Sequence, residues 1–217
     1  MNWMKQKEER EDLVLQVFKK IIIVFIVFFS LVVSVFANEK TAILNDVEKY
    51  LNNIEFLKAN FLQDDITNSQ LSEGVFYLSR PGKLRVDYLN PFEASLYVYN
   101  GTTTYYDKDL DEISNIRTAS TPLQFLLRKK ISFNDKDFSI SNVKIEDDEI
   151  FVSFIQKNKE DEGTLILKFS KTPIVLKSIR LINGLDQEVE MTLFDISTNP
   201  VENSVFKFKN PRLKRKI

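Results

Sequence analysis

Gly74-Val75-Phe76-Tyr77-Leu78-Ser79-Arg80-Pro81-Gly82-Lys83-Leu84-Arg85-Val86-Asp87-Tyr88 reads as strand, break, strand. Aromatic and β-branched residues crowd both sides of Pro81-Gly82, which predicts strands over 73–80 and 84–89. Side chains alternate across a strand, so Phe76, Leu78 and Arg80 share one face, as do Leu84, Val86 and Tyr88. The opposite parity is also apolar in places, with Val75 and Tyr77 behind Phe76 and Leu78. The next strand, 95–99, sets Leu96 and Val98 against Tyr97 and Tyr99 in the same way. A sheet with one wet face would alternate apolar and polar residues. The excess of apolar surface fits a thick core under helices, or a hydrophobic cavity that the protein does not always fill itself.

The elements around this block follow from local pattern. Asn100-Gly101 accepts the positive φ angles of a type I′ hairpin turn, which pairs Tyr99 with Thr102 and Leu96 with Tyr105. A further strand is expected near 111–117. Upstream, Leu57, Ala59, Phe61 and Gln63 lie on one face of an earlier strand. Before it, Ile43, Leu44, Val47, Tyr50, Leu51 and Ile54 recur at helical spacing and predict a helix over 41–54. Thr121-Pro122 predicts a short helix through Arg128, with Thr as its cap and Pro at its first position. Strands are then expected over 150–156, 164–169, 175–182 and 188–196, the last two joined at Asn183-Gly184. The expectation is one mainly-β domain over 38–217, a long antiparallel meander with two or three helices. A meander curls, and helices can fill its concave side.

The first 37 residues read differently. Ile21 to Val33 is an almost unbroken apolar run preceded by Lys19-Lys20, and Val35-Phe36-Ala37 resembles a cleavage end. Positive flank, apolar core and small-residue end are the order of a secretory signal peptide. The competing reading is a retained anchor; taken to Ala37 the stretch has about 17 residues, the lower limit for a spanning helix. Export places the remaining chain in the periplasm.

Composition narrows the chemistry. The chain has no histidine and no cysteine, and a net charge of −1. Histidine bases, thiolates and soft-metal sites are therefore excluded, and near-neutral charge gives no footprint for nucleic acid. Asp64-Asp65 and Asp147-Asp148-Glu149 are adjacent carboxylates, but neighbours on a strand point to opposite faces, so they read as solvated strand ends. Asp107, Asp109 and Asp111 alternate as in a calcium loop, without its central Gly and bidentate Glu. Lys207, Lys209, Arg212, Lys214, Arg215 and Lys216 form a basic tail, either a solvated terminus or a patch for an anionic membrane surface.

The block from Gly74 to Tyr88, followed by Asn90-Pro91, Asn100-Gly101 and Tyr106-Asp107-Lys108-Asp109-Leu110, resembles the outer-membrane lipoprotein carrier family, LolA. Ala59-Asn60-Phe61-Leu62-Gln63 upstream fits the family's A-x-F-x-Q strand. Thr121-Pro122 with Leu126-Leu127, Leu165 to Phe169, Ile179-Arg180-Leu181, Gln187 and Val205 to Phe208 with Pro211 continue in order. The resemblance covers nearly the whole chain after residue 37. It implies an incomplete, half-open antiparallel β-barrel, with helices forming a lid over a hydrophobic cavity. It implies a periplasmic chaperone that takes acylated lipoproteins from an inner-membrane lipoprotein-releasing ABC transporter to the outer membrane, with an outer-membrane lipoprotein receptor left open. It further implies a monomer without cofactor, metal, nucleic-acid partner or enzymatic activity.

Within that resemblance, Arg80 matches the arginine that locks the lid by hydrogen-bonding backbone carbonyls of the lid helices. Phe76, Leu78, Leu84, Val86, Tyr88, Leu96 and Val98 are the expected cavity lining. Val86 stands where the family commonly has Trp, which alters cavity shape. The family's C-terminal P-x-G-V strand is missing after Pro211. Three alternatives share the fold: a sensor of mislocalised lipoproteins, a carrier of other lipids, and an enzyme, for which no acid–base pair is visible. A carrier meets a physical need. At about 0.8 kcal/mol per methylene, a triacylated anchor of roughly 45 methylenes resists leaving a membrane by about 35 kcal/mol. Its carrier must offer comparable apolar surface and still release it, so empty and loaded states must be nearly balanced.

Overall fold

The computed structural model describes residues 39–117 and 122–216. The segment read as a signal peptide and the Thr121 cap lie outside the described residues. The chain divides into two compact units, residues 1–46 and 47–217. Helix α1 (39–53) begins in the first unit, where its opening turns are exposed or partly so, and ends in the second. In the second unit its Val47 and Leu51 are buried, as is Ile54 just past its end, at the three- and four-residue spacing that gives a helix one apolar stripe.

Eleven strands follow: β1 (Phe56–Asp65), β2 (Gln70–Ser79), β3 (Lys83–Asn90), β4 (Ala94–Tyr99), β5 (Thr102–Asp107), β6 (Glu112–Arg117), β7 (Phe138–Glu146), β8 (Glu149–Gln156), β9 (Gly163–Lys171), β10 (Ile174–Asn183) and β11 (Glu188–Ser197). They form one antiparallel sheet in the order β6-β5-β4-β3-β2-β1-β11-β10-β9-β8-β7. It is not a single meander. Two meanders, β1 to β6 and β7 to β11, meet where β1 pairs with β11, with Phe61 opposite Leu193. The sheet does not close, because among the described residues β6 and β7 each pair on one side only.

This order forces the chain after β6 to travel from one edge of the sheet to the other. The described part of that crossing carries the expected short helix in 3₁₀ form, over Pro122–Leu127. Among the described residues α1 is therefore the one α-helix. The crossing packs on β8 and β9. Phe125 stacks on Phe154 with ring centroids 4.3 Å apart and tilts against Phe138 at 5.3 Å. Arg128, just beyond, bonds Asp135 and Asp137 and lies over the Phe138 ring.

The first strands fall where their pattern predicts them. Tyr99 pairs with Thr102 and Leu96 with Tyr105, as the Asn100-Gly101 turn requires. Strand β7 is the element that pattern reading misses. Its apolar residues Phe138, Ile140, Val143 and Ile145 all face the same way, opposite Gln156, Phe154, Val152 and Ile150. A register shift between Ile140 and Asn142 stretches one spacing from two residues to three, and a bulge of this kind destroys strict alternation.

The C-terminal residues cover the other face of the sheet. A 3₁₀ turn at Asn203–Phe206 packs on β3 and β4. Phe206 is fully buried. Phe208 lies 5.4 Å from the Tyr97 ring and 5.6 Å from Tyr106. Arg85 donates to the Val205 carbonyl at 3.1 Å. The basic tail is thus pinned as far as Arg212, which bonds Asp111; the side chains of Lys214, Arg215 and Lys216 lie outside the described set. Phe206→Ala should cost about 3–5 kcal/mol of stability, read as a lower urea midpoint. The apolar face on the opposite side of the sheet should keep its properties, and a change in lipid binding at matched stability would contradict this two-sided assignment.

Candidate functional site: the apolar inner face

Register places the expected lining residues on one face. Phe76 pairs with Val86 and Val86 with Leu96. Leu78 pairs with Leu84 and Leu84 with Val98. Tyr88 sits between Gly74 and Ala94. Directly opposed residues on neighbouring strands point the same way, so all seven form a contiguous patch in three rows. Phe76, Leu78, Leu84, Val86 and Val98 are buried, while Tyr88 and Leu96 are partly exposed. The rows continue through Leu57, Ala59 and Phe61 of β1. On the far side they continue through Ile179, Leu167 and Val152, and through Leu165 and Phe154.

The end of α1 and the crossing segment lie against this face. Tyr50 meets Phe169 edge-on at 6.0 Å, and its hydroxyl accepts the Leu176 backbone N–H at 3.0 Å. Asn52 ties helix to crossing: its amide donates to the Ile131 carbonyl at 2.8 Å and its Oδ1 accepts from the Ile131 N–H at 2.9 Å. Glu48 accepts from the Phe133 N–H at 2.6 Å. Sequence reasoning did not single out Asn52 or Glu48. The available signal was a polar residue beside Leu51 on the inward side of the last helical turn.

Arg80 closes the arrangement. It follows β2 and is 7 % exposed. Its Nε donates to the Ile54 carbonyl at 2.7 Å, and its Nη2 donates to the carbonyls of Leu51 and Ile54. The last carbonyls of a helix lack intrahelical donors and form the negative end of its dipole, so a cation there satisfies both needs. Among the described residues no carboxylate pairs with it. Nη1 is buried without a hydrogen-bond partner, and burial pulls the guanidinium below the usual arginine range. A buried cation held by carbonyls alone, with one nitrogen unsatisfied, is costly to keep. The contact is therefore only a modest net stabiliser of the helix's position.

Tyr88 carries the polar end of the patch. Its ring packs edge-on against Phe61 at 5.5 Å and stacks on Phe92 at 5.5 Å. Its hydroxyl donates to Gln63 Oε1 at 3.0 Å. Burial is the main cause that pushes its pKa up to about 12. The unfolded chain ionises this phenol near the model-peptide value of about 10, so the stability it contributes is complete below that pH and is lost as pH rises towards 12. We expect unfolding free energy to fall by about 2–3 kcal/mol across that window and Tyr88→Phe to flatten this part of the curve. An unchanged alkaline slope in Tyr88→Phe would contradict this.

The acidic groups have local duties. Asp107 accepts the Leu110 N–H and Asp109 the Glu93 N–H. Asp65 caps Asn68, and Asp147-Asp148 sits in the turn between β7 and β8. Among the described residues no group of three or more potential ligands could hold a metal ion, and no helix is long and apolar enough to cross a membrane.

Residues 52–209 match the family described as Outer membrane lipoprotein carrier protein LolA. An uncharacterized protein of Rickettsia prowazekii is 26% identical over 198 residues, covering 90% of both chains. An outer-membrane lipoprotein carrier protein of Nitrosomonas europaea is 26% identical over 182 residues, covering 79% of this chain and 87% of its own. Among solved structures, a LolA superfamily protein from Nitrosomonas europaea aligns over 77% of this chain and 97% of its own, with 8% identity and a TM-score of 0.44.

Proposed function

The chain belongs to the LolA family of outer membrane lipoprotein carriers, and we propose that it ferries lipoproteins between the two membranes with their acyl chains against the inner face of the sheet. The observation that carries this reading is the pairing of that face with a weakly held cover. Phe76, Leu78, Leu84, Val86, Tyr88, Leu96 and Val98 form one apolar patch across three strands. The end of α1 is pinned by Arg80 through carbonyls alone.

In this reading the patch and the helix form a cavity and its lid. Acyl chains enter by displacing α1 and the crossing segment, and the apolar area they bury replaces the area those segments gave up. Arg80 then exchanges its carbonyl contacts for water. The empty, latched form is favoured by only a few replaceable hydrogen bonds, each worth about 1.5–3 kcal/mol when one partner is charged. That keeps release affordable. The protein would receive its cargo from a lipoprotein-releasing transporter in the inner membrane and work in the periplasm, with residues 1–37 as its export signal.

Depletion tests the reading against a sensor built on the same fold. Loss of a carrier strands acylated lipoproteins in the inner membrane, seen on membrane fractionation. Normal lipoprotein distribution after complete depletion would argue for a sensor or another cargo.

A further inference from the structure

The contiguous run Arg128-Lys129-Lys130 is divided by the fold. Arg128 turns inward and is neutralised by Asp135 and Asp137. Lys129 and Lys130 stay exposed. They border an open cleft of about 770 Å³ whose other lining residues are Glu48, Lys49, Asn52 and Asn53 at the end of α1. Glu48, the one acidic residue among them, is occupied by the Phe133 backbone N–H. Lys49 of the helix and Lys129 and Lys130 of the crossing therefore gather where the helix meets the crossing segment.

We propose that this cleft docks the protein on anionic phospholipid headgroups. The chemistry favours a lipid surface over a folded protein partner. Lysines present mobile point charges suited to phosphate, without the fixed fork of arginine. The cleft also lacks the aromatic or arginine anchors around which protein interfaces concentrate their energy. Its position gives docking a purpose: the segments that would move to admit an acyl chain are those that touch the membrane. This rests on the carrier reading for its purpose, and on charge and placement alone for its existence.

The test is flotation of the full chain with phosphatidylcholine vesicles, with and without phosphatidylglycerol. Taking the ratio of the two affinities cancels any contribution of the apolar run at 21–33. A cation near an anionic leaflet contributes about fivefold in affinity, so Lys129→Gln/Lys130→Gln should lower the anionic-to-neutral ratio by about 25-fold. Lys129→Arg/Lys130→Arg should retain it, and salt should weaken it. Two results would overturn the proposal: an unchanged ratio in the Gln pair, or a ratio lost instead in Lys207→Gln/Lys209→Gln. Normal vesicle binding with failed transfer from transporter-containing membranes would assign the cleft to a protein partner and equally overturn it. Bound acylated protein, the measure of the carrier reading, should be unchanged in the Gln pair, so the two readings fail separately.

Discussion

Gly74→Val should abolish the folded state. A Cβ at residue 74 would lie 1.8 Å from the Asp87 backbone oxygen and 2.9 Å from Phe61 Cε1. The oxygen cannot retreat easily, because β2 and β3 are held in register just beyond it, Val75 opposite Asp87 and Phe76 opposite Val86. The ring cannot retreat easily either, since Phe61 is fully buried and packed against Tyr88. A register shift between Glu73 and Gly74 brings the two strands into this close approach, and glycine in a strand commonly marks such a site. Overpacking a core usually costs about 1–3 kcal/mol; a contact with immovable backbone should exceed that, against a total stability of about 5–15 kcal/mol. Even Gly74→Ala should lower the urea midpoint sharply. A melting temperature within a few degrees of the parent would show that β2 and β3 can part locally.

Arg80→Leu should give a protein that loads and does not unload. The substitution removes the guanidinium donors to the Leu51 and Ile54 carbonyls, leaving the Leu51 carbonyl only its bond from the Ile54 N–H, and places an apolar side chain near Leu78. The empty form loses the charge-assisted hydrogen bonds that hold its helix, while a loaded form in which the latch is already open loses nothing. Removing one such bond, at about 1.5–3 kcal/mol, shifts the balance towards the loaded form by about tenfold or more. The expected result is cargo-bearing protein accumulating in the periplasm and transfer to outer membranes slowed by a similar factor. Arg80→Lys, with one donor group, should fall between. Release at the parent rate from a folded Arg80→Leu protein would remove the latch from the account.

Much of this was legible in the residues, for identifiable reasons. The hairpin at Asn100-Gly101, the face shared by Phe76 and Leu78 and the face shared by Leu84 and Val86 follow from turn chemistry and a side-chain period of two, which hold wherever a strand is regular; that the two faces are one is set by the pairing of β2 with β3. Strand β7 escaped because its bulge breaks that period between Ile140 and Val143. The union of two meanders at β1 and β11 escaped because Phe61 and Leu193 are 132 positions apart, and no local pattern encodes so distant a pairing. The crossing segment looked like an ordinary amphipathic helix; its 3₁₀ form and its burial of Phe125 depend on the two edge strands it must connect. Arg80 was identifiable only by resemblance. That its partners are the carbonyls of Leu51 and Ile54 is a tertiary fact, and backbone atoms leave no signature in sequence.

The carrier reading turns on whether acyl chains occupy this protein in the cell. The direct measurement is mass spectrometry of the material that copurifies with it from the periplasm, without detergent. We predict N-terminally acylated proteins in stoichiometric association, enriched in Arg80→Leu. Protein recovered in quantity with no acylated partner, in either the parent or Arg80→Leu, would contradict it.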